Sequence, residues 1–440
     1  MTEDLKQGSK LGSNELMLRI GRGGMATVWV ARERGRDGEE DRLVAVKAML
    51  PELADETEFV TMFLDEVRLV RAISHPNVVK IFDVGDAEGV MWMSMEWVEG
   101  ESLHTVIAEA GKRRAIPSEL AVKIIADAAS GLHAAHELRD DQGNLRGVVH
   151  RDVSPHNILI GTNGTVKLVD FGVAKAIGRV SEATRAGQLK GKFGYMSPEQ
   201  ALGKPVDRRS DIFSLGIVLF ELTTSRRLFR GEHDIDTLKL VIGGPIPRPS
   251  SIDPKYPPGL ERIVLKALDR SAEQRYQSAQ ELAEDLRAYL KSERVVVAQT
   301  ALSGLMKRVL GERIEQRRKA VRGALRALGS GQASPSDLLP GDLAFTPTGQ
   351  ERLSGGSGVS SITGVSSVSS VSSVGSPSDS SLNLPSSPST GGRPSSGFSS
   401  PQPQVFHPQA AGLGLGSIVG YAIGALGLLV ALFVLLFMRH

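Results

Sequence analysis

A break in composition near residue 329 decides where this chain can build a core. Residues 329–409 are rich in Ser, Pro and Gly and include the repeat Val365-Ser-Ser-Val-Ser-Ser-Val-Ser-Ser-Val374. Such a segment cannot bury enough apolar surface to offset the entropy of ordering it, so it reads as a disordered, flexible linker. Residues 410–438 carry no charged side chain. Their denser part, residues 418–438, would be roughly 31 Å long as a helix, enough to cross a bilayer core of about 30 Å. A buried core helix is the other reading, but the run is long for one, and we expect a transmembrane helix. Gly412, Gly416, Gly420 and Gly424 recur every four residues. That spacing puts small residues on one helix face and would let two copies pair as a homodimer.

The folding part is therefore the first three-quarters of the 440 residues. Residues 14–291 alternate strand-like and amphipathic helical patterns and read as one globular domain. Residues 295–328 read as a basic amphipathic helix, with Leu302, Leu305, Met306, Val309, Leu310, Ile314 and Val321 near helical spacing and eight Lys and Arg among the rest. Gly304, Gly311 and Gly323 weaken that helix. Three placements suit it: on an anionic membrane surface, against the C-terminal lobe of the preceding domain, or in a helical dimer. A solvated charged helix is the default.

Composition excludes several chemistries. The net charge is only +2, so nothing global points to nucleic acid. No cysteine is present, which removes disulfides, thiolate zinc sites and a cysteine nucleophile. The N-terminal residues are polar, with no apolar stretch of the secretory type. We expect the N-terminal bulk to stay in the cytoplasm at the inner (cell) membrane, as a single-pass protein with its C-terminus just across.

The chemistry starts at Ile20-Gly-Arg-Gly-Gly-Met-Ala-Thr-Val28, between two strand-like runs. A glycine-rich turn there lets backbone lie close over phosphates, although a plain hairpin turn reads almost the same. Val44-Ala-Val-Lys47 follows on a third strand. His150-Arg-Asp-Val-Ser-Pro-His-Asn157 comes next, then Asp170-Phe-Gly172 and Ser197-Pro-Glu199. In this order and at this spacing the chain resembles the eukaryotic-like (Hanks-type) protein kinases over about residues 14–290. Tyr195-Met-Ser-Pro-Glu-Gln200 resembles bacterial members of that family.

The resemblance implies an α+β, two-lobed fold: a small β-rich N-lobe and a larger α-helical C-lobe. It implies ATP and Mg²⁺, or Mn²⁺ in its place, as cofactors and proteins as substrates. ATP would lie against Ile20, Gly21, Arg22, Gly23, Gly24, Met25, Ala26, Thr27, Val28 and Ala45. Lys47 would hold the α- and β-phosphates, paired with Glu66. Met95 would be the gatekeeper, and the Glu96 carbonyl and Val98 amide would meet the adenine. Asp152 would accept the proton of the acceptor hydroxyl, and Asn157 and Asp170 would ligate the metal. Asp211 would brace the catalytic loop, and Arg275 would partner Glu199.

Three positions depart from the family pattern. Ala26 replaces the third glycine of the loop. Ser154 stands where Ser/Thr kinases place a lysine, and Lys192 stands where they place a threonine. We expect Lys192 and Ser154 to have exchanged roles, keeping one cation beside Asp152; the other reading points Lys192 to solvent. The catalytic loop lacks the arginine patterns of tyrosine kinases, which favours Ser/Thr acceptors. Arg151 before the catalytic aspartate implies a phosphorylated activation loop, with Thr184 preferred over Ser181 as an autophosphorylation site. The alternative function is a membrane-tethered pseudokinase or scaffold that binds nucleotide or partners without phosphoryl transfer.

Overall fold

The computed structural model describes residues 5–23, 26–35, 40–50, 57–87, 89–111, 116–171 and 192–330. Six strands form the first lobe: β1 (Lys10–Leu11), β2 (Asn14–Arg22), β3 (Ala26–Glu33), β4 (Arg42–Met49), β5 (Ile81–Ala87) and β6 (Val90–Glu96). They pair antiparallel in the order β1-β2-β3-β4-β6-β5, with helix α1 (Thr57–Arg71) between β4 and β5 in the chain. Successive side chains of a strand point to opposite sides, so β3 and β4 each present two faces. One face buries Trp29, Ala31, Val44, Val46, Ala48 and Trp92 together. The Trp92 ring lies so close over Gly12 (φ +61°) that a Cβ there would sit 2.6 Å from it. Glycine is the residue that satisfies both demands.

The opposite face carries chemistry. Val28 pairs with Lys47 and Val30 with Ala45, and Ala45 in turn pairs with Met95 on β6. Cross-strand partners share a face, so Val28, Ala45 and Lys47 lie on one surface.

The second lobe is mainly helical. It comprises β7 (Gly100–Ser102), α2 (Leu103–Gly111), α3 (Ser118–His136), β8 (Ile158–Gly161), β9 (Val166–Leu168), α4 (Pro198–Ala201), α5 (Arg208–Thr224), α6 (Asp234–Gly243), α7 (Pro249–Ile252), α8 (Pro258–Ala267), α9 (Ala279–Ser292) and α10 (Gln299–Ser330). β7-β8-β9 form a small antiparallel sheet. α5 is buried continuously from Ser210 to Leu222, as expected of a helix apolar on all sides. Its start is fixed by Asp207, whose side chain accepts the Arg209 amide at 2.8 Å. Ser197 caps α4 in a capping box with Gln200, followed by Pro198 at the first helical position.

The two-lobed α+β expectation holds. The basic segment differs from its expected bounds: Val295–Ala298 is a non-helical connection, and α10 runs to Ser330. Arg294, in the left-handed conformation (φ 57°), interrupts the path from α9. The helix is not a solvated one. Its apolar side chains from Leu302 to Ile314 join the main core, and Val321 and Ala324 join the β2–β3 cluster. Packing outweighs the cost of its three interior glycines, Gly304, Gly311 and Gly323, about 1 kcal/mol each. Among the described residues no helix is long and apolar enough to cross a membrane. Residues 410–438 lie outside the described residues.

Candidate active site

The site is built on the loop that leads into β8. Asp211, near the start of α5, accepts the main-chain N–H of His150 at 2.7 Å and of Arg151 at 2.8 Å, and contacts His136 Nε2 at 2.8 Å. Arg151 has φ 62°, a conformation that costs a non-glycine residue about 1–3 kcal/mol. The carboxylate of Asp211 binds both amides around that strained residue and so holds the turn. His150 is buried, which pushes its imidazole pKa down. Its Nδ1 accepts the Asp152 amide and its Nε2 meets the Val169 carbonyl at 3.2 Å, so the proton of the neutral ring sits on Nε2. The ring also lies 4.4 Å from that of Phe171.

Asn157 stands at the end of this loop. Its amide nitrogen donates to the Asp152 carbonyl at 2.8 Å and to Asp152 Oδ2 at 3.0 Å. The nitrogen is thereby turned to Asp152, and the side-chain oxygen is the atom with coordinating lone pairs. Asp170 is again left-handed, with φ 53°. Its Oδ1 accepts Lys47 Nζ at 3.0 Å. Burial opposes ionisation of Asp170, but the Lys47 ammonium prevails and holds its carboxyl below the ordinary range. Two hard oxygen donors, from Asn157 and Asp170, are of the kind that would hold Mg²⁺.

Lys192 is buried beside this group. Its Nζ donates to Asp152 Oδ2 at 2.6 Å, and the side chain is 6% exposed. The solvent-facing reading of Lys192 is therefore excluded. Ser154 does not mirror it: its Oγ is buried with no hydrogen-bond partner among the described residues. The cation has its counterpart beside Asp152, while the hydroxyl makes no such contact.

The other expected residues fall as follows. Ile20 is buried in the cluster with Met17, Leu18 and Val30. Gly21 and Arg22 end β2, and Ala26 and Thr27 begin β3, with Gly23 N–H donating to the Ala26 carbonyl at 2.8 Å. Gly24 and Met25 lie outside the described residues, as do Gly172, Ser181 and Thr184. Glu66 lies on α1, and its side chain is likewise outside them. β6 ends at Glu96, so Trp97 to Glu99 run free of the sheet between the lobes. The Glu96 side chain receives Lys167 Nζ of β9 at 2.7 Å, an interlobe ion pair that no motif foretold. Arg275 grips Glu199 with two bonds of 2.6 and 2.9 Å.

One residue escaped sequence reasoning. His156, one position before Asn157, stacks on His104 of α2 with ring centroids 4.0 Å apart. Burial, followed by the nearby His104 and Lys192, pushes its pKa down to about 3. No signal could have found it, because the pairing joins residues that only the tertiary fold brings together.

With this geometry, comparison with known proteins is unambiguous at the level of family. The chain belongs to the protein kinase domain family, whose model matches residues 15–303. It is 43% identical over 280 residues to the tyrosine-protein kinase MasK of Myxococcus xanthus, a match covering 63% of this chain and 43% of MasK. It is 34% identical over 284 residues to the serine/threonine-protein kinase PrkC of Bacillus subtilis, covering 64% of this chain and 41% of PrkC. The chain thus spans about two-fifths of the length of these relatives. Among solved structures, the Mycobacterium tuberculosis PknI kinase domain aligns with a TM-score of 0.49 at 24% identity, covering 66% of this chain and 100% of that one.

Proposed function

We propose that this chain is an ATP-dependent kinase that phosphorylates Ser/Thr hydroxyls of proteins. The observation that carries the reading is two ion pairs, Lys47–Asp170 and Lys192–Asp152, the second of which also receives the Asn157 amide. In the resting site each cation is neutralised by its aspartate. A nucleotide would offer Lys47 its phosphates in place of Asp170, which would free that carboxylate to hold Mg²⁺ together with Asn157. Mg²⁺ held by Asn157 and Asp170 would supply positive charge to the phosphates. Asp152 takes the proton of the acceptor hydroxyl as the new O–P bond forms and the β–γ bridging O–P bond breaks to leave ADP. Lys192 supplies the positive charge beside Asp152, where charge moves in the transition state.

The hinge residues Met95, Glu96 and Val98 are assigned to adenine and gatekeeping, and Val28 and Ala45 to the wall beside Lys47. Thr184, with Ser181 second, is assigned to autophosphorylation. Residues 410–438 are assigned to the membrane on their composition, with the catalytic domain in the cytoplasm and pairing of copies through Gly416 and Gly420.

Radiolabelled γ-phosphate transfer by the full chain, with Asp152→Asn as control, tests the core of this. Label in the wild type alone supports it, and none in either leaves the nucleotide-binding scaffold. Tyrosine acceptors are a second reading, favoured by the name of the relative MasK and by the absence of a lysine at Ser154. Phosphoamino-acid analysis of the labelled product separates the two.

A further inference from the structure

α10 touches three parts of the domain in turn. Its 32 residues make a rod roughly 48 Å long. At its foot, Ser303 Oγ donates to the Thr162 carbonyl at 2.6 Å and Gln299 Nε2 to the Asn163 carbonyl at 3.1 Å, both in the β8–β9 turn. Gly164 in that turn has φ +82°, and a Cβ there would lie 2.2 Å from the Gln299 carbonyl oxygen, so the turn is shaped to seat the helix. Leu302 to Ile314 then join the C-lobe core.

At mid-length the helix meets the segment that follows the hinge. Arg317 donates to the Gly100 carbonyl at 2.8 Å. Arg313 and Arg317 each hold Glu101 at 2.7 Å, and that carboxylate belongs to a residue 0% exposed. Arg318 binds Glu99 through both oxygens at 2.7 and 2.8 Å. Near its end, Val321 and Ala324 are buried with Met17, Leu18, Ile20 and Val30 of the N-lobe.

We infer that α10 is an interlobe strap, with Arg317 as the positioning residue that fixes the hinge and thereby slows nucleotide exit from the cleft. The lobes are joined by the chain at residues 96–100. A hinge alone permits rotation. A second rigid tie, anchored in both lobes and clamped to the hinge between them, does not. Opening the cleft requires one end of α10 to detach, and the N-lobe end is the weaker, because two buried apolar side chains, with Ala320 and Leu328 partly buried beside them, hold it where six buried ones hold the foot. The apolar face of the helix changes partner along its length, and the arginines fall at the change, which a helix serving one lobe would not need. The inference rests on the proposal that the cleft binds nucleotide.

The test uses the full chain. Stopped-flow displacement of a fluorescent ADP analogue gives the dissociation rate, and hydrogen exchange of the nucleotide-free chain gives protection of β2, β3 and the hinge. Val321→Asp frees the N-lobe end and leaves the buried ion pairs intact, so it remains decisive if Arg317→Ala does not fold. Both variants should speed dissociation about five- to tenfold, within the usual range of coupling between sites. Arg317→Lys, which keeps the charge, should recover part of the loss. In Val321→Asp the β2, β3 and hinge amides should exchange faster while those of α3 do not change. Equal dissociation rates in wild type and Val321→Asp overturn the strap. If wild type binds no nucleotide, the kinase reading fails instead, and unchanged exchange in Val321→Asp then overturns the strap independently.

Discussion

The nucleotide half and the acceptor half of the site each pair one lysine with one aspartate, yet they are built differently. Lys47 comes from a strand whose register with β3 and β6 is fixed over five or more residue pairs, and it meets Asp170 at 3.0 Å. Lys192 comes from the turn just before Phe193–Tyr195 and meets Asp152 at 2.6 Å. The nucleotide half follows the family pattern except at Ala26. The acceptor half changes it at Ser154 and Lys192 and keeps a cation in place. A strand can present a side chain at one position only, because a one-residue slip turns it to the other face. A flexible lysine on a loop reaches the same point from several anchors, so a charge can change its address while the field at Asp152 survives.

The largest expected effect breaks the acceptor half outright. Asp152→Asn should lower the turnover number by about 10²–10⁴-fold, the usual worth of a positioned base, with the KM for ATP little changed. Steady-state kinetics on the full chain checks this. Lys192→Ala should cost about tenfold to a hundredfold in turnover, again at nearly constant KM for ATP. The double change Lys192→Thr with Ser154→Lys should recover part of that loss, because it returns the cation to the catalytic loop. Unchanged turnover in Lys192→Ala would show that the acceptor half needs no cation there.

Away from the chemistry, the frame around the acceptor half is expected to fail in a different way. Arg275→Ala leaves Glu199 without its bidentate partner in a buried setting and should cost about 3–5 kcal/mol, read by denaturant unfolding.

Acid should reveal two groups. The pKa of His156 is pushed down to about 3 from 6.5, so its share of stability is full above 6.5 and is lost as pH falls toward 3. Burial opposes ionisation of Glu199, but Arg275 and Ser210 hold its pKa at about 2, so its share is full above 4.5 and is lost as pH falls toward 2. Thermal unfolding from pH 7 to pH 4 should show stability falling, with a shallower slope in His156→Gln. A parallel slope would remove His156 as the cause. The smallest effect is expected at Ser154→Ala. Its Oγ is buried without a partner, so its removal should leave stability unchanged or raise it by up to about 1 kcal/mol, with turnover within about twofold.

Much of this was legible before any coordinates. The strands around Lys47 follow from alternation, and Asp152, Asn157 and Asp170 follow from motif order. Lys192 was legible as a departure, since a cation missing at one position and present at another is visible in a linear string. What it touches was not. The apolar spacing of residues 302–321 announced a helix, but amphipathicity names a buried face and not the surface that buries it. His104 with His156 and Glu96 with Lys167 had no local signature, because each joins elements far apart in the chain.

The sequence by itself determined the family, the two lobes and which residues are proposed to handle phosphate, because residue type and local period are properties of a string. Only the tertiary structure decided that Lys192 turns inward to Asp152 and that α10 lies across the hinge. Both depend on the distance between parts of the chain remote in sequence. A buried charge stays where a partner of opposite sign repays its lost hydration, and only the fold says where that partner stands.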